Sequence, residues 1–295
     1  MPDSIAPRLI LETLLPPLRL AAAYAREIQS RIVALPPKGN PEELFSSALS
    51  DADLSIQTLV EVSLLGAFPT IRFHGEEYEQ SYNTKYFRAT DLGPQGDYMV
   101  ALDPIDGTRL YLDGHANYQI ILSVLNVDEF EAVLAINPAL NSYYYAFRDQ
   151  GTFYGALSDD LDACQRLQLA NPKNTVLLGS RMGAIAKQIR QRYEVIHTAT
   201  AYSKTIQMPN FNGFLSGDVI GAVLSKGKFI DGAALAFLAQ EAGCIVTTLE
   251  GSPPPPLHTC EDYQRPGLIV ASSTQVHQHL LEAVEKSGIV RRMRG

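Results

Sequence analysis

From Asp97 the chain breaks into short β-rich runs, Tyr98–Leu102, Tyr118–Asn126, Glu131–Asn137, Ser142–Phe147 and Thr152–Tyr154, separated by turn residues. That rhythm predicts a meander of antiparallel strands. Beyond about residue 170 it changes to alternating strand and helix: Thr175–Gly179, then a helix over Met182–Arg192, then Glu194–His197. Gly221–Leu224, a helix over Ala233–Ala242, Cys244–Thr248, Leu268–Ala271 and a helix over Gln275–Glu285 continue it, which is α/β layering. Two helices precede the strands. Leu18, Ala21, Ala25, Ile28, Ile32 and Leu35 recur at helical spacing after a break at Pro16-Pro17 and stop before Pro36-Pro37. Leu54, Ile56, Leu59, Val60, Leu64 and Leu65 form the second, with Ser50, Asp51 or Asp53 as its cap.

These patterns predict an N-terminal α+β domain over 1–160 and a C-terminal α/β domain over 161–295. Ser158, Asp159, Asp160 and Asn171-Pro172 read as connecting chain. Gly251–Pro266 reads as a surface loop, extended at Pro253–Pro256 and disordered at its tip. With 295 residues, 46% of them hydrophobic, there is apolar material for one large or two ordinary cores.

The net charge of −8 provides no basic field for a nucleic acid polymer, so an anionic ligand must be captured locally. No apolar run approaches the roughly 18 to 20 residues of a membrane span. The early residues Asp3, Pro7 and Glu12 lack the pattern of a secretion signal, and a cytoplasmic address is expected. Cys164, Cys244 and Cys260 have neither the number nor the spacing of a disulfide framework or zinc site, and are expected to be reduced thiols. His277 and His279, two residues apart, fall on different sides of a helix.

The chemistry concentrates in Asp103-Pro104-Ile105-Asp106-Gly107-Thr108, at the end of an apolar strand. Two carboxylates beside a glycine that lets backbone N–H groups approach an anion suit Mg²⁺ and phosphate. Asp-Pro and Asp-Gly are equally ordinary turn dipeptides, so the segment alone also reads as a β-turn. Gly75-Glu76-Glu77 after Ile71-Arg72-Phe73 reads as a further carboxylate source or a solvated turn. Asp231 and Asp53 read as site residues or plain helix caps.

Taken in order, Ser50-Asp51-Ala52-Asp53, Gly75-Glu76-Glu77, Asp103 to Thr108 and Asp231-Gly232-Ala233-Ala234, followed by Glu241-Ala242-Gly243, resemble the inositol monophosphatase family. This family of Mg²⁺-dependent, lithium-sensitive phosphatases includes bisphosphate nucleotidases and relatives of fructose-1,6-bisphosphatase. The resemblance runs from about residue 18 to 287. It implies a layered α/β/α/β/α sandwich, often a homodimer, and a metal-dependent phosphoric monoester hydrolase acting on a small phosphorylated substrate.

The resemblance also implies residue roles. Glu76, Asp103 and the carbonyl of Ile105 would hold one metal; Asp103, Asp106 and Asp231 a second; Glu76 also faces a third. Two or three Mg²⁺ ions are implied, with Mn²⁺ as a substitute and Ca²⁺ or Li⁺ as inhibitors. Asp53 and Thr108 would activate the attacking water, with Glu76 counted among the catalytic groups, and Gly107, Thr108 and Arg109 would bind the phosphate. The alternative is a catalytically degenerate member acting as a binding or interaction protein.

Some positions depart from the family pattern. The lysine common about ten residues before Asp53 is absent from Glu42–Leu49, and Arg109-Leu110 replaces Asn-Phe. Ile230 stands for the usual Trp. The acidic residue that inositol phosphatases turn to sugar hydroxyls falls on Leu224, and the Gly-Ser-Ala stretch falls near Thr205-Ile206-Gln207. Loss of a hydroxyl-binding carboxylate points away from myo-inositol phosphate toward a nucleotide 3′-phosphate, a sugar phosphate or histidinol phosphate. Arg109 is either a replacement cation at the phosphate or a surface partner of Asp113.

Overall fold

A computed structural model describes residues 5–32, 50–77, 98–169 and 171–293. The Leu35 and Pro36-Pro37 helix end and the lysine-free stretch Glu42–Leu49 lie outside the described residues. The chain divides into two compact units, one of residues 1–148 with 153–165 and the other of 149–152 with 166–295.

The first unit is built on a sheet in the order β1 to β7: Arg72–Gly75, Met99–Asp106, Gln119–Leu125, Phe130–Asn137, Ser142–Phe147, Gly151–Ala156 and Gln165–Arg166. The meander is antiparallel from β2 through β5, as the turn spacing predicts, whereas β1 runs parallel to β2. Helices α1 (Pro7–Ile28) and α2 (Asp51–Ala67) pack on each other and against this sheet. Alternation sorts the strand residues: Val100, Leu102, Ile105, Ile120, Leu122 and Val124 join the core formed with the helices. Single-turn helix α3 (Thr108–Leu112) follows β2 and is held at the end of α1, where Gln29, the next residue, donates to the carbonyls of Tyr111 (3.1 Å) and His115 (2.8 Å). Tyr111 returns a bond from its hydroxyl to the Ala25 carbonyl (2.7 Å), and burial pushes its pKa up.

The first helix differs from expectation. Instead of starting after Pro16-Pro17 it begins at Pro7 and runs through both prolines, burying Ile10, Leu11, Leu14 and Leu15 as well as Leu18, Ala21, Ala22 and Ala25. One continuous apolar face explains why burial overrides the two missing amide donors.

In the second unit β8 (Thr175–Leu178), β9 (Glu194–His197), β10 (Gly221–Lys228), β11 (Ile245–Thr248) and β12 (Gln264–Ala271) form a mixed sheet ordered β11-β12-β10-β8-β9. Its helices are α4 (Gly183–Ile189), the short turns α5 (Thr198–Ala201) and α6 (Gly213–Ser216), then α7 (Gly232–Glu241), α8 (Thr274–Ser287) and α9 (Ile289–Met293). Val223 packs into the cluster formed with α4 and α8, while its neighbour Leu224 faces Gly232 at the head of α7. Helices therefore cover both sides of this sheet.

Mixed sheets flanked by helices give the layered α+β class expected from the sequence. The loop after Gly251 differs from expectation at its tip: Leu257–Thr259 forms a 3₁₀ turn with Leu257 buried, and strand β12 has already begun at Gln264. All three cysteines are free thiols, as expected. His277 meets Thr247 (2.8 Å) and His279 meets Tyr193 (2.6 Å), so the two imidazoles do leave α8 on different sides. Among the described residues no helix is long and apolar enough to cross a membrane.

Because Pro16 is exposed within a continuous helix, Pro16→Ala restores an amide donor without altering the buried face. Chemical denaturation is expected to show stability raised by about 1–3 kcal/mol, the lower end reflecting the proline's restriction of the unfolded chain.

Candidate active site

Residues three apart on a regular strand point to opposite faces, so Asp103 and Asp106 on an ideal β2 would diverge. They do not, because the register slips between them. Asp103 pairs with Ile121 and Asp106 with Gln119, three residues on β2 against two on β3. The extra residue is a β-bulge at Pro104-Ile105, a place where proline's missing N–H is tolerated. It returns Asp106 to the face that Asp103 occupies and sends Ile105 into the core. Asp103 is 3% exposed and its Oδ1 accepts the Ile105 N–H (3.1 Å); Asp106 is half-buried and its Oδ2 accepts from Gln119 Nε2 (2.8 Å).

Strand β1 brings Glu76 alongside. The parallel register ends at Gly75 opposite Leu102, and Glu76 N donates to the Leu102 carbonyl (3.0 Å). Glu76 thus leaves β1 at the position matching Asp103 on β2.

Helix α2 supplies the next carboxylate. Asp53 is fully buried, and its Oδ2 accepts the Ser50 N–H (2.8 Å) and the Ser50 hydroxyl (2.6 Å), so Ser50 is the residue preceding the helix and Asp53 closes the capping arrangement. Its Oδ1 faces Thr108 Oγ1 at 3.2 Å, while the same hydroxyl lies 2.9 Å from the Ile105 carbonyl. One hydroxyl proton serves either acceptor, which leaves the oxygen lone pairs of Thr108 to receive a proton from elsewhere. Gly107, between Asp106 and Thr108, adopts φ 84° and ψ 34°, a left-handed conformation that favours glycine.

Gln57 and Glu61 follow Asp53 on α2 at intervals of four, and both are buried. Gln57 accepts the Glu77 N–H (2.8 Å) and donates to Glu61 (2.9 Å), which fastens the end of β1 to α2. The backbone approaches so closely that a Cβ on Gly75 would lie 2.2 Å from Gln57 Oε1. Reading the motif cluster by cluster misses Gln57; its signal is the polar stripe Asp53, Gln57, Glu61 inside an otherwise apolar helix. Glu77 is sealed from solvent rather than part of a solvated turn.

Arg109 is about one-quarter exposed in its side chain, with Nε 3.7 Å from Asp113 Oδ2, beyond hydrogen-bond length. In the second unit Asp231 caps α7, accepting the Gly232 N–H. Leu224 lies beside it: a Cβ on Gly232 would stand 3.0 Å from Leu224 Cδ1. Glu241, at the other end of α7, accepts from the N–H groups of Asp149 (3.0 Å) and Gly151 (2.9 Å).

The donor chemistry of Glu76, Asp103, Asp106 and the Ile105 carbonyl suits a hard divalent cation, being oxygen throughout. The side chains are not pre-gathered: among the described residues no three carboxylates, imidazoles or thiols surround one point. Asp103 and Asp106 are turned instead to the protein donors just named.

Comparison with known proteins gives concordant results. Residues 19–288 match the sequence model of the inositol monophosphatase family. A Neisseria meningitidis protein named as a candidate Nus factor, SuhB, is 25% identical over 248 residues, covering 81% of this chain and 85% of that one. An inositol-1-monophosphatase of Rhizobium meliloti is 26% identical over 251 residues, covering 81% and 83%. In fold, the chain is similar to an IMPase structure from Thermotoga maritima, with a TM-score of 0.69 at 18% identity over 96% of this chain and 98% of that one.

The Gly75–Gln57 contact is open to a double-mutant cycle. Gly75→Ala displaces a side chain held at both ends and is expected to cost about 1–3 kcal/mol. In a Gln57→Ala background the same change costs at least about 0.5 kcal/mol less, measured by denaturant unfolding.

Proposed function

The chain belongs to the inositol monophosphatase family, and from that premise we propose that it is a Mg²⁺-dependent phosphomonoesterase that hydrolyses a small phosphate ester. The bulge that sets Asp103 and Asp106 on one face, next to Glu76, is the observation that most supports this reading. Glu76, Asp103, Asp106 and the Ile105 carbonyl are the proposed ligands, and Asp231 of the second unit is proposed as a further one on the resemblance alone. Mn²⁺ would substitute, and Li⁺ or Ca²⁺ would inhibit. Bound there, Mg²⁺ would supply Lewis acidity to the phosphate oxygens and lower the pKa of a coordinated water.

The chain's own residues do the rest. Thr108 Oγ1 accepts a hydrogen bond from the attacking water and orients it, with its own proton given to Asp53 Oδ1 in place of the Ile105 carbonyl. Asp53 can act this way because Ser50 fixes its other oxygen. The N–H groups of Gly107 and Thr108 are proposed to hold the phosphate. Arg109 joins them only by turning from Asp113, and its guanidinium would then offer the bidentate contact that an ammonium cannot.

On the resemblance alone, Leu224 is proposed to stand where inositol phosphatases carry the acid that meets sugar hydroxyls. An apolar side chain packed toward Gly232 offers no acceptor to a polyol, which favours a nucleotide 3′-phosphate, a sugar phosphate or histidinol phosphate over myo-inositol phosphate. The name of the Neisseria relative favours a second reading, a protein that acts by binding a partner. The placement of Asp103 and Asp106 on one face beside Glu76, and of Asp53 against Thr108, weighs against it.

A panel of phosphate esters with Mg²⁺, assayed for phosphate release, separates the readings: turnover of at least one ester is expected, and none across the panel would leave only the binding protein. Asp103→Asn is expected to lower that turnover by at least about 10³-fold. Asp53→Asn and Thr108→Ala are each expected to lower kcat with little change in Mg²⁺ affinity, and the double variant to lose no more than the worse single one. If the losses multiply, the two residues do not act as a unit. Arg109→Ala is expected to raise KM several-fold with kcat within about threefold; unchanged kinetics on every ester would remove Arg109 from the site.

A further inference from the structure

We propose that Gln119 is a positioning residue that sets the orientation of Asp106 as a metal ligand, an inference that rests on the phosphatase reading above. Gln119 opens β3 and is fully buried, an expensive place for a primary amide unless its polar ends are met. It stands directly opposite Asp106 in the β2–β3 ladder, immediately beyond the bulge, and its Nε2 donates to Asp106 Oδ2 at 2.8 Å. An ionised carboxylate only accepts, so the amide group must present its NH₂ side to Asp106.

Three consequences follow from that geometry. The bond restrains rotation of the Asp106 carboxylate through Oδ2. It does so with a neutral donor, whereas an arginine or lysine at 119 would compete with a cation for Asp106. Both partners sit in a hydrogen-bonded ladder, so the orientation is inherited from backbone that does not readily move. The bulge thus does two things at once: it returns Asp106 to the face of Asp103, and it places Asp106 across from a residue that can hold it.

The test is a calorimetric titration of Mg²⁺ into the full chain, paired with the Mg²⁺ dependence of phosphate release from an ester the protein turns over. Gln119→Met keeps length and bulk and removes the donor; Gln119→Leu serves if the first variant does not fold by circular dichroism. Either is expected to weaken Mg²⁺ binding about 10- to 100-fold and raise the half-saturating Mg²⁺ concentration in step. At saturating Mg²⁺, kcat should stay within about threefold of the parent, a recovery that a merely structural defect would not give. Affinity within twofold of the parent would overturn the positioning role. Asp106→Asn tests the reading beneath it: this variant should lose Mg²⁺ binding, and parent-like binding would overturn Asp106 as a ligand, whatever Gln119 does.

Discussion

A carboxylate sealed from water must be met by donors within the protein, and Asp53 is where that requirement organises the first unit. Its Oδ2 takes both donors of Ser50 and so begins α2, at the helix end where a negative charge is also favoured by the aligned peptide dipoles. Its Oδ1 meets Thr108, the first residue of α3, immediately after the two aspartates at the end of β2. One ionised group therefore fixes a helix start and a strand end together. Gln57 extends the connection a turn further along α2, where it holds the backbone at Glu77 and, through Gly75, lets β1 close on the helix. The elements bearing Asp53, Glu76 and Thr108 are referenced to one another through α2.

The bulge at Pro104-Ile105 completes this arrangement by breaking a rule of strand geometry. A regular β2 would place one aspartate with the helices and the other away from them; the extra residue puts the apolar Ile105 into the core and both acids on the other face. Gathering like charges has a cost, which the chain meets with local neutral donors, the Ile105 N–H for Asp103 and Gln119 for Asp106. That choice of partners suits carboxylates intended for a cation, since a buried arginine or lysine would oppose its approach. A site that strains the local rules of its own strand is the usual mark of function overriding regularity.

Much of this was legible in the sequence. The meander over 98–154 and the strand–helix alternation after 175 are period-2 and period-3.6 signals, and the segments fall where those periods place them, with ends moved by a few residues. What could not be read is equally specific. Pro16-Pro17 looked like a boundary because proline removes amide donors, but the apolar face on either side is one continuous stripe and its burial decides. The parallel pairing of β1 depends on a partner more than twenty residues away. The bulge leaves no periodic signal beyond the Asp-Pro dipeptide, which reads equally well as a turn. Of three possible caps for α2, only the hydrogen bonds distinguish Ser50 from the two aspartates. Gln119 and Gln57 had no motif to announce them, although the Asp53, Gln57, Glu61 stripe was available to a helical reading.

The residues that would run the reaction and those that would choose its substrate are held in different ways. Asp53, Thr108, Asp103 and Asp106 are each constrained by backbone groups, caps or ladder partners, so replacing any of them disturbs the elements that carry it. Among the described residues Arg109 makes a long contact to Asp113, and Leu224 is a half-buried side chain whose neighbour Gly232 has no Cβ to interlock with. Substitutions at 109 and 224 therefore change charge and polarity at less structural cost than substitutions at the acids. Two of the departures from the family pattern, at 109 and 224, fall at such lightly held positions, while the strand-end acids and the capped aspartate keep it. This is the distribution expected of a chain whose chemistry is fixed by its fold and whose specificity is set by individual side chains.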